Sequence, residues 1–205
     1  MTVRDYVAAY ILPTATTGTT GTTGTIGYLA QHDLLSQIPV LQRDITIPDY
    51  TALVLDVDSH CDDTVLSNIW FGPINTQSPL HYDCYYNLLT QIVGFKYLRL
   101  YAPQYSAQLA PLPGRMCNNS TVDLLAEDVY TSHPQLVETP YWECVLSPGD
   151  MLFLPRHWWH FVQSLDTATA LAVGTGTTAL DGAQQTVQFS FSVNFWWGDR
   201  IPAQT

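Results

Sequence analysis

Lysine is almost absent from this chain: one residue, Lys96, in 205. Basic residues of both kinds number seven against 18 acidic ones, for a formal net charge of -11. That balance argues against a general nucleic-acid binder, which needs a basic face for the phosphates. It fits a basic peptide partner as well as a merely solubilising acidic surface. Charge of either sign is sparse, at 12%, about half the usual share of roughly 25%. Four cysteines at 61, 84, 117 and 144 form no CxxC pair. No disulfide framework or zinc knuckle follows, and free thiols in a reducing compartment are the simplest reading. No apolar run approaches the roughly 18 residues needed to span a bilayer. Residues 1–11 carry Arg4 and Asp5 and lack a signal-peptide core. Two overlapping glycosylation sequons at 118–121 read as chance matches without such a signal. No repeat of 20 to 50 residues is present.

What is present is 46% apolar residues, enough for one globular domain with its own core. Residues 3–12 and 28–38 have helical spacing, and residues 14–25 form a Thr/Gly tract that reads as a loop. From residue 51 the signals turn β. Residues 52–57 are a short apolar run. Residues 68–71 and 80–85 are strand candidates separated by Gly72-Pro73, and 88–93 and 95–101 flank Gly94 as a tight hairpin. Residues 103–140 are long and polar, with one helical turn expected near 122–127. Ser147-Pro148-Gly149-Asp150 is a strong turn before strands at 151–154 and 158–163. Residues 167–188 are a second low-complexity loop, and the alternation of 189–197 is a strand. Many short strands after early helices predict a mainly β jelly roll or related barrel.

His81-Tyr82-Asp83 carries the chemistry. On an extended strand His81 and Asp83 point one way and Tyr82 the other. Two imidazoles and one carboxylate suit non-haem Fe(II), with open positions left for substrates. A chance His and Asp on an edge strand fits the motif alone equally well. Both His157 and His160 could supply a third ligand. Only His160 sits within the apolar run, where a histidine needs a partner, and His157 reads as a rim residue after a turn. Lys96 alternates with Leu98 and Leu100. If that face is inward, a cation points into the barrel and calls for an anion, a ligand carboxylate included. A lysine that snorkels to the strand end is the alternative. Asn87 is either an amide donor to that carboxylate or a turn residue.

The blocks 70–73, 78–83, Asn87, 94–97, 100–103, 146–150, 153–155, 159–160 and 191–197, in this order, resemble the JmjC-domain 2-oxoglutarate oxygenases. Gly27 to His32 and Ile47 to Tyr50 narrow the resemblance to the branch of the lysine-specific demethylase 8 type, also described as protein arginyl hydroxylases. The resemblance implies a double-stranded β-helix, cupin-like, with N-terminal helices. It implies Fe(II) held by His81, Asp83 and His160, and 2-oxoglutarate held by Lys96 with Asn87, Tyr28 and Ser78. Trp70 and Gln31 would line the substrate side. With O2, oxidative decarboxylation of 2-oxoglutarate would drive hydroxylation of a protein side chain, arginine being one candidate. Hydroxylation of an N-methyl group would instead end in demethylation of a basic, histone-like tail. A catalytically inactive jelly roll used as a binding module is the third reading. The partner is a protein or basic peptide, with no nucleic acid or membrane, inside the cell in the nucleus, the cytoplasm or both. Met1 aligns with an internal position of the family. The single domain 1–205 therefore reads as N-terminally truncated, with early strands and an acidic pocket residue missing.

Overall fold

The computed structural model of the chain describes residues 1–12, 26–53, 64–173 and 188–198. Nine strands form two antiparallel sheets among them. They are β1 (Leu29–His32), β2 (Leu66–Pro73), β3 (Gln77–His81), β4 (Tyr86–Val93), β5 (Phe95–Tyr101), β6 (Trp142–Leu146), β7 (Met151–Leu154), β8 (Trp159–Leu165) and β9 (Phe189–Trp197). One sheet runs β1-β2-β9-β4-β7 and the other β3-β8-β5-β6. Without β1, the eight remaining strands alternate between sheets in the order of a jelly roll, so the barrel's eight strands all lie among the described residues. No helix of the described residues is long and apolar enough to cross a membrane.

Alternation sorts the strands into an outer and an inner face. Outside the first sheet, Ile69, Leu88, Val193, Phe195 and Trp197 pack with Leu34 and Leu35 of the short helix α2 (Leu34–Gln37). Outside the second, Tyr101, Trp159 and Phe161 are covered by Leu109, Val122, Val129 and Leu136. The polar stretch 103–140 is thus the apolar lid of a sheet, built mainly from 3-10 turns. Inside, Leu89, Leu98, Leu100, Leu146, Leu154 and Val162 cluster beside an unusual number of buried polar groups.

Several local expectations change, each for a tertiary reason. Residues 28–38 are not one helix: Leu29 pairs with Phe71 and His32 with Ile69 as an edge strand, and Asp33 then caps α2. Pairing with the neighbouring strand overrides local helical spacing. Gly72-Pro73 does not separate strands but ends β2, at a position where a strand tolerates proline. Gly94 is not a hairpin turn, because β4 and β5 lie in different sheets. The chain crosses from one sheet to the other there with φ 75°, and a Cβ would meet Phe189 O at 2.4 Å. The helical turn expected near 122–127 lies further on, at Val129–Ser132. Asp123 Oδ1 accepts from Leu125 N instead, holding a turn. The second tract begins as a helix, Thr167–Val173, started by Asp166, which accepts from Thr169 N and Oγ1. Residues 14–25, 54–57 and 174–187 of the predicted loops and apolar run lie outside the described residues. Cys84, Cys117 and Cys144 are free thiols, and Cys61 is outside.

Candidate metal centre

The largest correction falls on the opening motif. β3 ends at His81, so Asp83 is not on a strand and simple alternation does not aim it. A different irregularity aims His81. Ser78 pairs with Val162 but His81 with His160, so three steps on β3 match two on β8. The extra residue is a bulge at Pro79-Leu80, and it rephases the strand. Ser78 and His81, which alternation would set on opposite faces, both line the interior, while Leu80 is buried in the outer cluster. The bulge also supplies an acceptor: His81 Nδ1 lies 2.7 Å from Pro79 O. His160 repeats the device, with Nδ1 2.9 Å from Trp158 O. A backbone carbonyl on Nδ1 fixes its proton there and leaves Nε2 with a free lone pair.

His81, Asp83 and His160 each offer one ligand atom within 4.8 Å of the others, and His160 Nε2 lies 3.6 Å from Asp83 Oδ2. Burial pushes the His160 pKa down to about 4, with the neighbouring His81 adding to the effect and Asp83 opposing it. The imidazole is therefore neutral at ordinary pH, the state a metal needs. A set of two neutral imidazoles and a carboxylate fits a divalent first-row ion such as Fe(II). His157 is exposed, as a rim residue should be, and contributes no side chain to this group.

The same cleft, about 340 Å³ with its open mouth, is lined by Tyr28, Trp70, Ser78, Asn87 and Lys96 besides the three ligands. Lys96 faces inward with Leu98 and is 1% exposed. Its one described polar contact is a long 3.4 Å bond to Tyr28 Oη. The rings of Tyr28 and Trp70 each lie 5.8 Å from Nζ. Burial without an anion pushes its pKa down to about 7. Burial raises the Tyr28 pKa and keeps the hydroxyl protonated, with Ser78 hydrogen-bonded to it. Gln31 is not in this cleft. It has φ 50° and lines the adjoining groove, about 1850 Å³ and much of it open solvent, with Asp33, Asn68, Tyr85 and Trp196.

Sequence reasoning missed two residues. Asn194 accepts from Trp70 Nε1 at 3.0 Å and donates to Asn87 Oδ1 at 3.4 Å, tying two cleft residues together. Trp196 stacks on Tyr85 at 5.1 Å, and its buried Nε1 has no partner among the described residues. The signal for both was the polar phase of 190–196, which sets Ser190, Ser192, Asn194 and Trp196 on the inner face.

Residues 8–202 match the cupin-like domain family. Lysine-specific demethylase 8 of Xenopus tropicalis is 39% identical over 198 residues, 96% of this chain and 37% of that protein. Lysine-specific demethylase 8 of Danio rerio is 38% identical over 203 residues, 96% of this chain and 40% of that protein. JmjC domain-containing protein D of Dictyostelium discoideum is 40% identical over 151 residues, 70% of this chain and 34% of that protein. The chain spans about two fifths or less of the length of these curated relatives.

Proposed function

The chain belongs to the cupin-like JmjC domain family, and from that premise we propose that it is an Fe(II)- and 2-oxoglutarate-dependent oxygenase acting on a protein side chain. The observation that carries this is one cleft holding both a His-Asp-His cluster and a buried lysine with no carboxylate. A buried cation without an anion is costly, and a dicarboxylate bridging from the metal to Lys96 removes that cost. Fe(II), when bound with 2-oxoglutarate and O2, supplies the oxidising chemistry.

The chain's own residues do the rest. Nε2 of His81 and His160 and the Asp83 carboxylate hold the ion. Lys96 Nζ, with Tyr28 Oη and Ser78 beside it, receives the far carboxylate of 2-oxoglutarate. Asn87, steadied by Asn194, donates along its length. Trp70 and Leu89 close the wall and keep water from the reacting end. The groove lined by Gln31, Asp33, Tyr85 and Trp196 receives the substrate chain, and the Trp196 N–H offers it a donor.

Hydroxylation is the reading we favour, because it needs only a C–H bond presented at the cleft. Methyl-lysine demethylation has its own support in relatives named lysine-specific demethylases. Both use the same cleft and differ in the mass of the product: a gain of one oxygen against loss of a methyl group. Anaerobic titration with Fe(II) and then 2-oxoglutarate tests the common part. A visible charge-transfer band is expected, and it is lost in Asp83→Ala. No band in the wild type, or an undiminished one in the variant, refutes the oxygenase and leaves a jelly-roll binding module.

A further inference from the structure

Asp83 is the one member of the metal cluster that no strand holds, yet its loop is closely fixed. Three consecutive carbonyls each accept a hydrogen bond. Tyr82 O accepts from Asn118 Nδ2 at 3.2 Å, Asp83 O from His157 N at 2.8 Å, and Cys84 O from Arg156 Nε at 2.7 Å. Tyr82 N also donates to Asn118 O at 2.9 Å, so Asn118 grips the peptides on both sides of Tyr82. Two of the three donors come from the turn between β7 and β8. There His157 takes φ 64°, uncommon for a residue with a side chain, as it presents its N–H to Asp83 O. That turn leads directly into His160. The segment that delivers the third ligand therefore also holds the second. Asn118 belongs to the overlapping sequons, and its amide is engaged within the fold.

We propose that Asn118 and Arg156 are positioning residues of the metal centre, fixing the Asp83 backbone so that its carboxylate meets His81 and His160. The proposal rests on the metal reading given above. A carboxylate on a free loop loses backbone freedom when it binds an ion, about 1–2 kcal/mol per residue ordered. With its carbonyls already held, that cost is met on folding. Partners just outside a metal's ligands are worth roughly 10- to 100-fold in affinity.

The test is Co(II) binding to the chain without 2-oxoglutarate, followed by calorimetry and by the visible absorption of the bound ion. Thermal melts of the metal-free variants check the fold. Arg156→Met and Arg156→Gln form a matched pair. Glutamine carries a donor nitrogen where arginine carries Nε, and methionine carries a methyl group there. We expect Arg156→Met to weaken Co(II) about tenfold or more, and Arg156→Gln to keep most of the affinity. Equal losses in the two point to charge alone and overturn the positioning role of Arg156. Asn118→Asp keeps the shape but turns the donor into an acceptor facing Tyr82 O. We expect it to bind Co(II) at least tenfold more weakly; a role in packing alone predicts no loss. Wild-type affinity in both Arg156→Met and Asn118→Asp overturns the proposal and leaves the metal reading intact. No Co(II) binding by the wild-type chain overturns both.

Discussion

The barrel buries polar side chains at both of its ends, and the two ends use them differently. Toward the floor, Gln91 donates to Ser190 Oγ at 2.9 Å and to Val93 O at 2.8 Å, and accepts from Ser192 Oγ at 2.7 Å. Thr76 and Ser164 bond to each other at 3.0 Å beside them. Each group finds its partner within the protein. Toward the mouth, Lys96 has only a long contact to Tyr28, two histidine Nε2 atoms face each other's ring and a carboxylate, and the Trp196 N–H is unpartnered among the described residues. Buried polar groups are normally satisfied, and a set left open needs an explanation. A closed network is a device of the fold, and an open one marks where something from outside completes it.

The contrast breaks most completely if the open set is disabled. Asp83→Ala is expected to abolish turnover, read as succinate formation with candidate peptides, while the metal-free protein keeps its melting temperature. Lys96→Met should weaken 2-oxoglutarate by about two to three orders of magnitude, since losing one partner of a buried charge pair costs about 2–5 kcal/mol. The same substitution removes a buried unpaired cation, so the ligand-free variant should melt at a higher temperature than the wild type. Loss of function with gain of stability is what separates the mouth from the floor.

A pH series sharpens this. The folded chain releases the Lys96 proton at about pH 7, whereas an unfolded chain holds it to about 10.5. Between those values the unfolded state binds more protons, so the Lys96 contribution to stability rises with pH by about a few kcal/mol. Below pH 7 it is flat. Chemical denaturation of wild type against Lys96→Met isolates this contribution, and saturating 2-oxoglutarate should flatten the difference by keeping the lysine charged.

At the floor the expected effect reverses. Gln91→Leu strands Ser190 and Ser192 and should cost about 1–3 kcal/mol of stability, with Co(II) affinity unchanged. The smallest effect belongs to the outer surface, where Arg99 and Glu143 pair at 3.4 Å with Glu143 46% exposed. Glu143→Gln should change stability by less than about 1 kcal/mol, by the same denaturation assay.

Legibility in the sequence followed the range of the interactions. The inward face of β5 was readable because Lys96, Leu98 and Leu100 share a period of two, and β9 because Phe189–Trp197 alternates from its first residue. His160 was separable from His157 because one lay in an apolar run and the other after a turn. The geometry of the HxD motif was not readable as first drawn. Its alternation argument fails one residue past β3, and Pro79 was the only local sign of the bulge that turns His81 inward. Gly94 looked like a hairpin because a hairpin and a crossing between sheets ask the same of a glycine, and only the partners of β4 and β5 distinguish them.

By itself, the sequence determined the chemical inventory: an acidic, lysine-poor β domain with two imidazoles, a carboxylate and one inward cation, in an order that resembles one family. Those are properties of residue type and of short periods, which need no partner strand. The tertiary structure decided that these groups share one cleft, that a bulge rephases His81 against His160, and that Asn118, Arg156 and His157 hold the Asp83 loop. Each of those depends on contacts between residues far apart in the chain, such as Arg156 and Cys84, and no local pattern encodes which distant donor a carbonyl will meet.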